Sequence, residues 1–218
     1  MNLKARETFE QLFERYPVLE SSRKDILNAY DILSKAYKNG KKLMVCGNGG
    51  SCADSEHITG ELMKGFKLKR EVPGEMRAKL EKCCPEHGGL FADNLQGALK
   101  TIALTSSSVM FTAFCNDVDA DLAFAQQLYG YAEEGDVLLG ISTSGTATNV
   151  NLALELANAL GVTRIGLAKR GAKAEMTRHC DILIAVAADE TYSVQELHLP
   201  IYHCLCAMLE EEFFGLKD

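Results

Sequence analysis

The sequence predicts an α/β fold: a five-stranded parallel sheet sandwiched by helices in a flavodoxin-like three-layer arrangement, preceded by an N-terminal helical arm. Five short apolar runs alternate with segments of helical spacing. The runs are continuously apolar, as expected of strands buried on both faces. The 218 residues are enough for one sizeable core, and we expect a single domain over residues 1–218.

The arm, residues 1–40, is predicted to form two amphipathic helices. Apolar residues recur at helical spacing over residues 3–16. Ser22, with Asp25 three residues later, resembles a helix cap, and Gly40 closes the second helix. Each helix has an apolar face that needs a partner, which we expect in another subunit.

The remaining elements alternate between strand and helix. Strands are predicted at 41–46, 99–106, 136–143, 162–168 and 181–187, and helices after the first glycine turn, over 121–132, up to Leu160, up to His179 and over 193–214. Ligands of such sheets bind at the carboxyl ends of the strands, near a topological switch point. The polar segment 67–98 interrupts this alternation and is predicted to be an insertion with one or two short helices, either a lid over the site or a surface excursion.

Composition excludes several classes of protein. The net charge of -7 argues against a nucleic-acid scaffold with a broadly basic surface. No apolar run is long enough to span a bilayer, and the N-terminus lacks the apolar segment of a secretory signal. We therefore expect a cytoplasmic protein without membrane contact, whose eight cysteines are reduced thiols.

The first candidate site is the loop GNGGS, which joins the first strand to a helix. Its residues Asn48, Gly49, Gly50 and Ser51 expose backbone N–H groups that suit an anion or sugar oxygens. The loop is not a dinucleotide fingerprint, because Cys52 occupies the third glycine position and no acidic residue ends the second strand. A nucleotide-binding oxidoreductase is therefore excluded, although the loop alone also fits a tight strand–helix turn.

A second loop, ISTSGTATN, strengthens the case for a ligand. Ser142, Thr143, Ser144 and Thr148 place four hydroxyls beside the free N–H groups of a helix start. Helix capping needs only one hydroxyl. With the hydroxyl-rich LTSSS at another strand end, the loops suggest a site for a sugar phosphate.

Four further side chains are candidates for chemistry. His57 and Glu61 are four residues apart on one predicted helix and share a face. Gln195 and His203 lie on one side of the last predicted helix. Taken alone, the first pair could be an ordinary helix-surface pair, and each histidine a hydrogen-bonded core residue.

Together the motifs resemble a known family. CGNGGSCADSEH…E, NDV, EEGDVLLGISTSGTATNV and VQELHLPIYHCL, in this order, are similar to the phosphoheptose isomerases, which are SIS (sugar isomerase) domain proteins. The resemblance implies a homotetramer with active sites at subunit junctions. It also implies conversion of sedoheptulose 7-phosphate to D-glycero-D-manno-heptose 7-phosphate through an enediol.

The resemblance also assigns roles to residues. It implies Glu61 and His203 as the acid/base pair, with the base at carbon left open, and zinc bound by His57, Glu61, Gln195 and His203. The implied substrate contacts are Ser142, Thr143 and Ser144 for the phosphate, and Asn48 and Asp117 for the sugar.

Departures from the family pattern keep alternatives open. The family's third phosphate serine is Ala147 here, where Thr148 could substitute, and a family aspartate is Tyr192. The substrate could therefore be another sugar phosphate, or the protein a non-catalytic sugar-phosphate-binding SIS regulator. Retention of Glu61 and His203 argues against a pure binder, which needs no acid/base pair.

Overall fold

The structure is a computed structural model, which describes residues 1–171 and 174–215. Of the predicted domain 1–218, residues 172–173 and 216–218 lie outside the described part. Within the described part, every helix is too short or too polar to cross a membrane.

The chain alternates between helices and strands after its first 40 residues. The helices are α1 (Leu3–Arg15), α2 (Arg23–Lys38), α3 (Gly50–Met63), α4 (Gly74–Cys83), α5 (Gly88–Asn94), α6 (Ser108–Asp117), α7 (Ala123–Tyr131), α8 (Thr148–Ala159), α9 (Ala174–His179) and α10 (Thr191–Phe214). The strands are β1 (Leu43–Gly47), β2 (Thr101–Ala103), β3 (Val137–Ile141), β4 (Thr163–Lys169) and β5 (Ile182–Val186). Short 3₁₀ turns at Pro17–Ser22 and Ala120–Leu122 precede α2 and α7.

The five strands form one parallel sheet in the order β2-β1-β3-β4-β5. This confirms the predicted fold class. Leu43 and Val45 of β1 lie in one hydrophobic cluster, whereas Met44 and Cys46 lie in a second cluster, because successive side chains of a strand point to opposite faces. The strand order reverses between β1 and β3, so the switch point lies where these two strands end.

The arm packs against its own chain. α1 contacts α10, and α2 contacts β5 and α10. Phe9 and Phe13 of α1 are buried with their rings 5.0 Å apart in an edge-to-face arrangement. The prediction that another subunit covers these apolar faces was therefore wrong. Ser22 is the N-cap residue of α2, as predicted, but its hydroxyl makes no side-chain cap and donates instead to the carbonyl oxygen of Ala185, 2.7 Å away.

Two segments between β1 and β3 differ in how well the sequence predicted them. The insertion contains α4 and α5, as predicted, and an Arg77–Asp93 ion pair of 2.8 Å joins them; its role as a lid stays a prediction. The second strand is shorter than the predicted 99–106, because the chain turns after Ala103 and enters α6, which was not predicted. No residue of α6 is buried within the described chain.

Candidate active site

Two loops meet at the carboxyl edge of the sheet. The glycine loop, residues 47–51, follows β1 and contains Asn48. The serine loop, residues 141–149, follows β3 and leads into α8. The amide of Asn48 donates to Asn149 Oδ1 at 2.8 Å, and the amide of Asn149 donates to Asn48 Oδ1 at 3.0 Å. The glycine loop and the serine loop are thus joined directly at the switch point. Asn149, the second residue of α8, was missed by the sequence analysis, although it closes the quoted motif ISTSGTATN.

The glycine loop depends on two of its glycines for different reasons. Gly49 has φ of 55°, a left-handed conformation that favours glycine. At Gly50 a Cβ atom would overlap the side-chain amide of Gln195, whose Cδ would be 2.8 Å away. Gly50 therefore allows the predicted ligand Gln195 to lie against the start of α3. Ser51 is buried, and its carbonyl oxygen accepts from Ser55 Oγ at 2.8 Å.

The serine loop presents an uncapped helix start. α8 has no side-chain cap, so its first N–H groups are available to a ligand. Ser142 is buried, and its Oγ accepts weakly from the N–H of Ala147 at 3.4 Å. Ser144 Oγ lies 2.8 Å from Thr146 Oγ1, and Thr148 opens the helix. Thr143, the remaining predicted phosphate residue, is fixed by a backbone hydrogen bond: its carbonyl oxygen accepts from the N–H of Lys169 at 3.0 Å.

α3 and α10 lie side by side and run in the same direction. Gln195 meets Gly50 near their starts, and His203 meets His57 further along. His57 Nε2 is 3.3 Å from Glu61 Oε1 and 3.4 Å from His203 Nε2. The structure therefore brings His57, Glu61 and His203 together as one group, here called the His–Glu–His cluster.

The cluster contains polar atoms without full partners. Glu61 Oε2 is buried and accepts no hydrogen bond, although Lys64 Nζ lies 3.6 Å away. Burial lowers the pKa of His203, and the neighbouring His57 lowers it further, while Glu61 opposes both effects. A lowered pKa favours neutral His203 at neutral pH, which can accept a proton.

Two residues behind the cluster were also missed by the sequence analysis. Tyr202 is 2% exposed, and its hydroxyl lies 3.1 Å from His57 Nδ1 and donates to Asp54 Oδ1 at 3.1 Å. Burial raises the pKa of both Tyr202 and Asp54. Asp54 lies three residues before His57, a spacing that puts both on one helix face. Tyr202 precedes His203, but only the packing of α10 on α3 brings it to Asp54.

The predicted sugar contact Asp117 is not joined to the cluster. It lies at the end of α6, where its exposed side chain accepts from Asn116 Nδ2 at 2.8 Å. Gln195 is also separate from the cluster. It lies against Gly50 of the glycine loop, and no hydrogen bond or ion pair of the described residues links it to the cluster.

The predicted zinc site consists of the three residues of the cluster and Gln195. In residues 1–171 and 174–215, no three His, Cys, Asp or Glu side chains are arranged to hold a metal ion. Two imidazoles and a carboxylate are nevertheless a donor set of the kind that zinc prefers. The two distances from His57 Nε2, 3.3 and 3.4 Å, match the ligand spacing of about 3.3 Å in a tetrahedron of about 2.0–2.1 Å bonds. Glu61 Oε2, which accepts no hydrogen bond, adds an acceptor atom.

Comparisons with known proteins identify the family of the chain. Two SIS domain models match the chain, at residues 7–82 and 96–208. The phosphoheptose isomerase of Clostridium acetobutylicum is 38% identical over 193 residues, which are 88% of this chain and 84% of that protein. The chain belongs to the phosphoheptose isomerase family. The family member of Akkermansia muciniphila is 35% identical over 202 residues, 93% of each chain.

Solved structures of the same family share the fold. The phosphoheptose isomerase of Francisella tularensis superposes with a TM-score of 0.74 at 27% identity, over 95% of this chain and 97% of that one. As a member of an isomerase family, the protein is an enzyme. Its two SIS matches are separated by residues 83–95, which lie within the insertion.

Proposed function

We propose that the protein interconverts sedoheptulose 7-phosphate and D-glycero-D-manno-heptose 7-phosphate through a cis-enediol. The observation that carries this proposal is the His–Glu–His cluster beside two polar loops at the switch point of the sheet. A carboxylate and two imidazoles can move protons between adjacent carbon and oxygen atoms. The name shared by the relatives supports the choice of heptose.

The phosphate end of the substrate would bind the serine loop. The uncapped start of α8 offers N–H groups and the favourable end of the helix dipole. Ser142, Thr143, Ser144 and Thr148 would add hydroxyl donors. Binding energy gained there, remote from the reacting carbons, can be used to orient the sugar at the cluster. Asn48 and the N–H groups of Gly49, Gly50 and Ser51 would contact sugar hydroxyls, and Asp117 and Gln195 would add contacts from their own elements.

Glu61 would be the base at carbon. Its Oε2 is buried without a hydrogen bond, so it is free to accept a proton. In the forward direction Glu61 removes a proton from C1 of the ketose, which gives the enediol. The same group then returns a proton to C2, and the product is the aldose.

His203 would handle the protons on oxygen. Formation of the enediol adds a proton at the C2 oxygen, and its collapse removes one from the C1 oxygen. Neutral imidazole, the form that the lowered pKa of His203 favours, has one N–H donor and one acceptor nitrogen. It can therefore donate a proton to the C2 oxygen and regain one from the C1 oxygen. Glu61 and His203 both adjoin His57, so the carbon and oxygen atoms of one enediol are within reach of the pair.

Zinc would be held by His57, Glu61 and His203, with Gln195 as a fourth ligand. When bound, the ion would polarise the sugar carbonyl. A carboxylate bound to zinc is a weaker base, so the two roles of Glu61 compete. Zinc titration of the metal-free protein tests this proposal: one ion per chain in the wild type and a loss of affinity in His57→Ala would support it, and equal binding by both proteins would contradict it.

The active protein would be a homotetramer whose sites are completed at subunit junctions. α6 supports this proposal, because it has no buried residue in the described chain and exposes Val109, and Val118 directly after it is exposed as well. Light scattering after size-exclusion chromatography tests it. A tetramer that Val109→Asp dissociates would support it, and a wild-type monomer with full activity would contradict it.

The function itself is tested by product analysis. The protein is incubated with sedoheptulose 7-phosphate, with and without zinc, and the products are followed by NMR and mass spectrometry. Fructose 6-phosphate and ribulose 5-phosphate serve as competing substrates. The proposal expects an aldoheptose phosphate as the preferred product. Turnover of another phosphosugar alone would contradict the heptose assignment, and binding without any turnover would indicate a regulator.

A further inference from the structure

A chain of hydrogen bonds leads from the His–Glu–His cluster into the protein. His57 Nδ1 is 3.1 Å from the hydroxyl of Tyr202, and this hydroxyl is 3.1 Å from Asp54 Oδ1. Asp54 and His57 lie on α3, whereas Tyr202 lies on α10. The three side chains thus connect the two helices that carry the cluster.

The number of protons in this chain sets the direction of each bond. A tyrosine hydroxyl carries one proton, and a carboxylate can only accept. Burial raises the pKa of Asp54, and the hydrogen bond from Tyr202 opposes that rise by favouring the carboxylate. With Asp54 as the carboxylate, Tyr202 donates its proton to Asp54 Oδ1. The oxygen of Tyr202 then accepts a hydrogen bond, and the group that faces it is Nδ1 of His57.

We propose that Asp54 and Tyr202 are positioning residues that hold neutral His57 in the tautomer with its proton on Nδ1. Neutral imidazole has one N–H group, so Nε2 is left with its lone pair. Nε2 is the atom that faces Glu61 and His203. The pair therefore turns His57 into an acceptor directed into the site, as partners of ligand histidines do in metal sites.

Burial makes this arrangement rigid. Tyr202 is 2% exposed, and its ring packs edge-on against the rings of His57 and His203, with centroids 5.5 and 5.0 Å away. The hydroxyl therefore has little freedom to turn towards other partners. The importance of His57 Nε2 for turnover rests on the proposed function, whereas the tautomer itself is a property of the resting protein.

The tautomer can be measured without substrate or metal. Long-range ¹H–¹⁵N spectra of histidine-labelled, metal-free protein at neutral pH distinguish the two neutral forms, and a His57→Gln variant assigns the signal. We expect Nδ1–H in the wild type. Tyr202→Phe removes the acceptor, and Asp54→Ala frees the hydroxyl proton of Tyr202 to donate to Nδ1. Both variants should therefore shift His57 towards the Nε2–H form.

A matched control separates positioning from the general loss of a buried hydroxyl. Tyr37 is also buried, and its hydroxyl lies 2.9 Å from Thr101 Oγ1, outside the hydrogen-bond chain of Asp54, Tyr202 and His57. Tyr37→Phe should leave the tautomer and the kinetics unchanged. Tyr202→Phe and Asp54→Ala should lower kcat roughly 10–100-fold, with KM changed less than about twofold, because substrate contacts are retained.

The outcomes separate this inference from the proposed function. A wild-type His57 with its proton on Nε2, or a tautomer that neither variant changes, would overturn the inference even if the enzyme isomerises heptose phosphate. The expected tautomer shift in a protein that isomerises no phosphosugar would support the positioning pair and contradict the proposed function. Folding of each variant is checked by circular dichroism, and the wild-type spectrum alone can refute the proposal.

Discussion

Arg70 and Glu210 form an ion pair that is fully buried, with 2.8 Å between Arg70 Nε and Glu210 Oε1. Glu210 lies on α10 and also accepts from the N–H groups of residues 66–68. The guanidinium of Arg70 donates to the carbonyl oxygens of Glu61 and Leu62 at the end of α3. The pair therefore ties the end of the helix that carries His57 and Glu61 to the helix that carries His203.

Arg70→Met should destabilise the protein by about 3–5 kcal/mol, because it leaves the carboxylate of Glu210 buried without its ion partner. Chemical unfolding measures the loss. Arg77→Met is the matched control: it removes the more exposed ion pair with Asp93 and should cost about 0–1 kcal/mol. Equal losses in the two variants would contradict the importance of the buried pair.

Glu212 joins the arm to α10 and should make stability depend on acid pH. Burial alone would raise the pKa of Glu212, but hydrogen bonds from Lys38, Tyr30 and the N–H of Asn2 outweigh it and lower the pKa to about 2. A lowered pKa stabilises the folded state above the unfolded value of about 4.5, and this stabilisation is lost as the pH falls towards 2.

The variant Glu212→Gln tests this dependence. It should be less stable than the wild type by about 2 kcal/mol at pH 7, because hydrogen bonds to a charged acceptor are lost. The difference should shrink between pH 4.5 and about 2. Urea unfolding at a series of pH values measures it, and a difference that stays constant with pH would contradict the assignment.

Gly50→Ala should impair the site more than the fold. An added Cβ would overlap the amide of Gln195, so Gln195 must leave the glycine loop, and kcat/KM should fall at least about tenfold. Gly60→Ala, in the same helix, meets no atom within 4 Å and should be stabilising by up to about 1 kcal/mol. Kinetics and thermal unfolding of both variants test this contrast; equal activities would contradict the role of Gln195.

The sequence predicted those features that depend on local pattern. Each strand was predicted because continuous apolar runs mark strands buried on both faces, and the two loops were found because their glycines and hydroxyls follow such runs. α6 was missed because its sequence, SVMFTAFCND, is apolar without a buried stripe. Ser22 was given a local capping role, but its hydroxyl bonds to Ala185 on β5.

The candidate site was predicted only in part, for a related reason. His57 and Glu61 share a helix face, so their spacing revealed them. Tyr202 and Asp54 meet because α10 packs alongside α3, and no spacing in the sequence encodes that contact. Asn149 likewise reaches Asn48 through the adjacency of β1 and β3, which is a property of the strand order.

The measurement that tests the central claim most directly is isomerisation of sedoheptulose 7-phosphate in D₂O by the wild type, Glu61→Gln and His203→Gln. His179→Gln, in α9, is the control for loss of a histidine outside the site. Proton transfer through an enediol, with exchange of the proton on Glu61 against solvent before it reaches C2, predicts deuterium at C2 of the aldose from the wild type and the control. Rates should be at least about 100-fold lower in the two site variants. Site variants that retain wild-type rates would contradict the assignment of Glu61 and His203 as the acid/base pair.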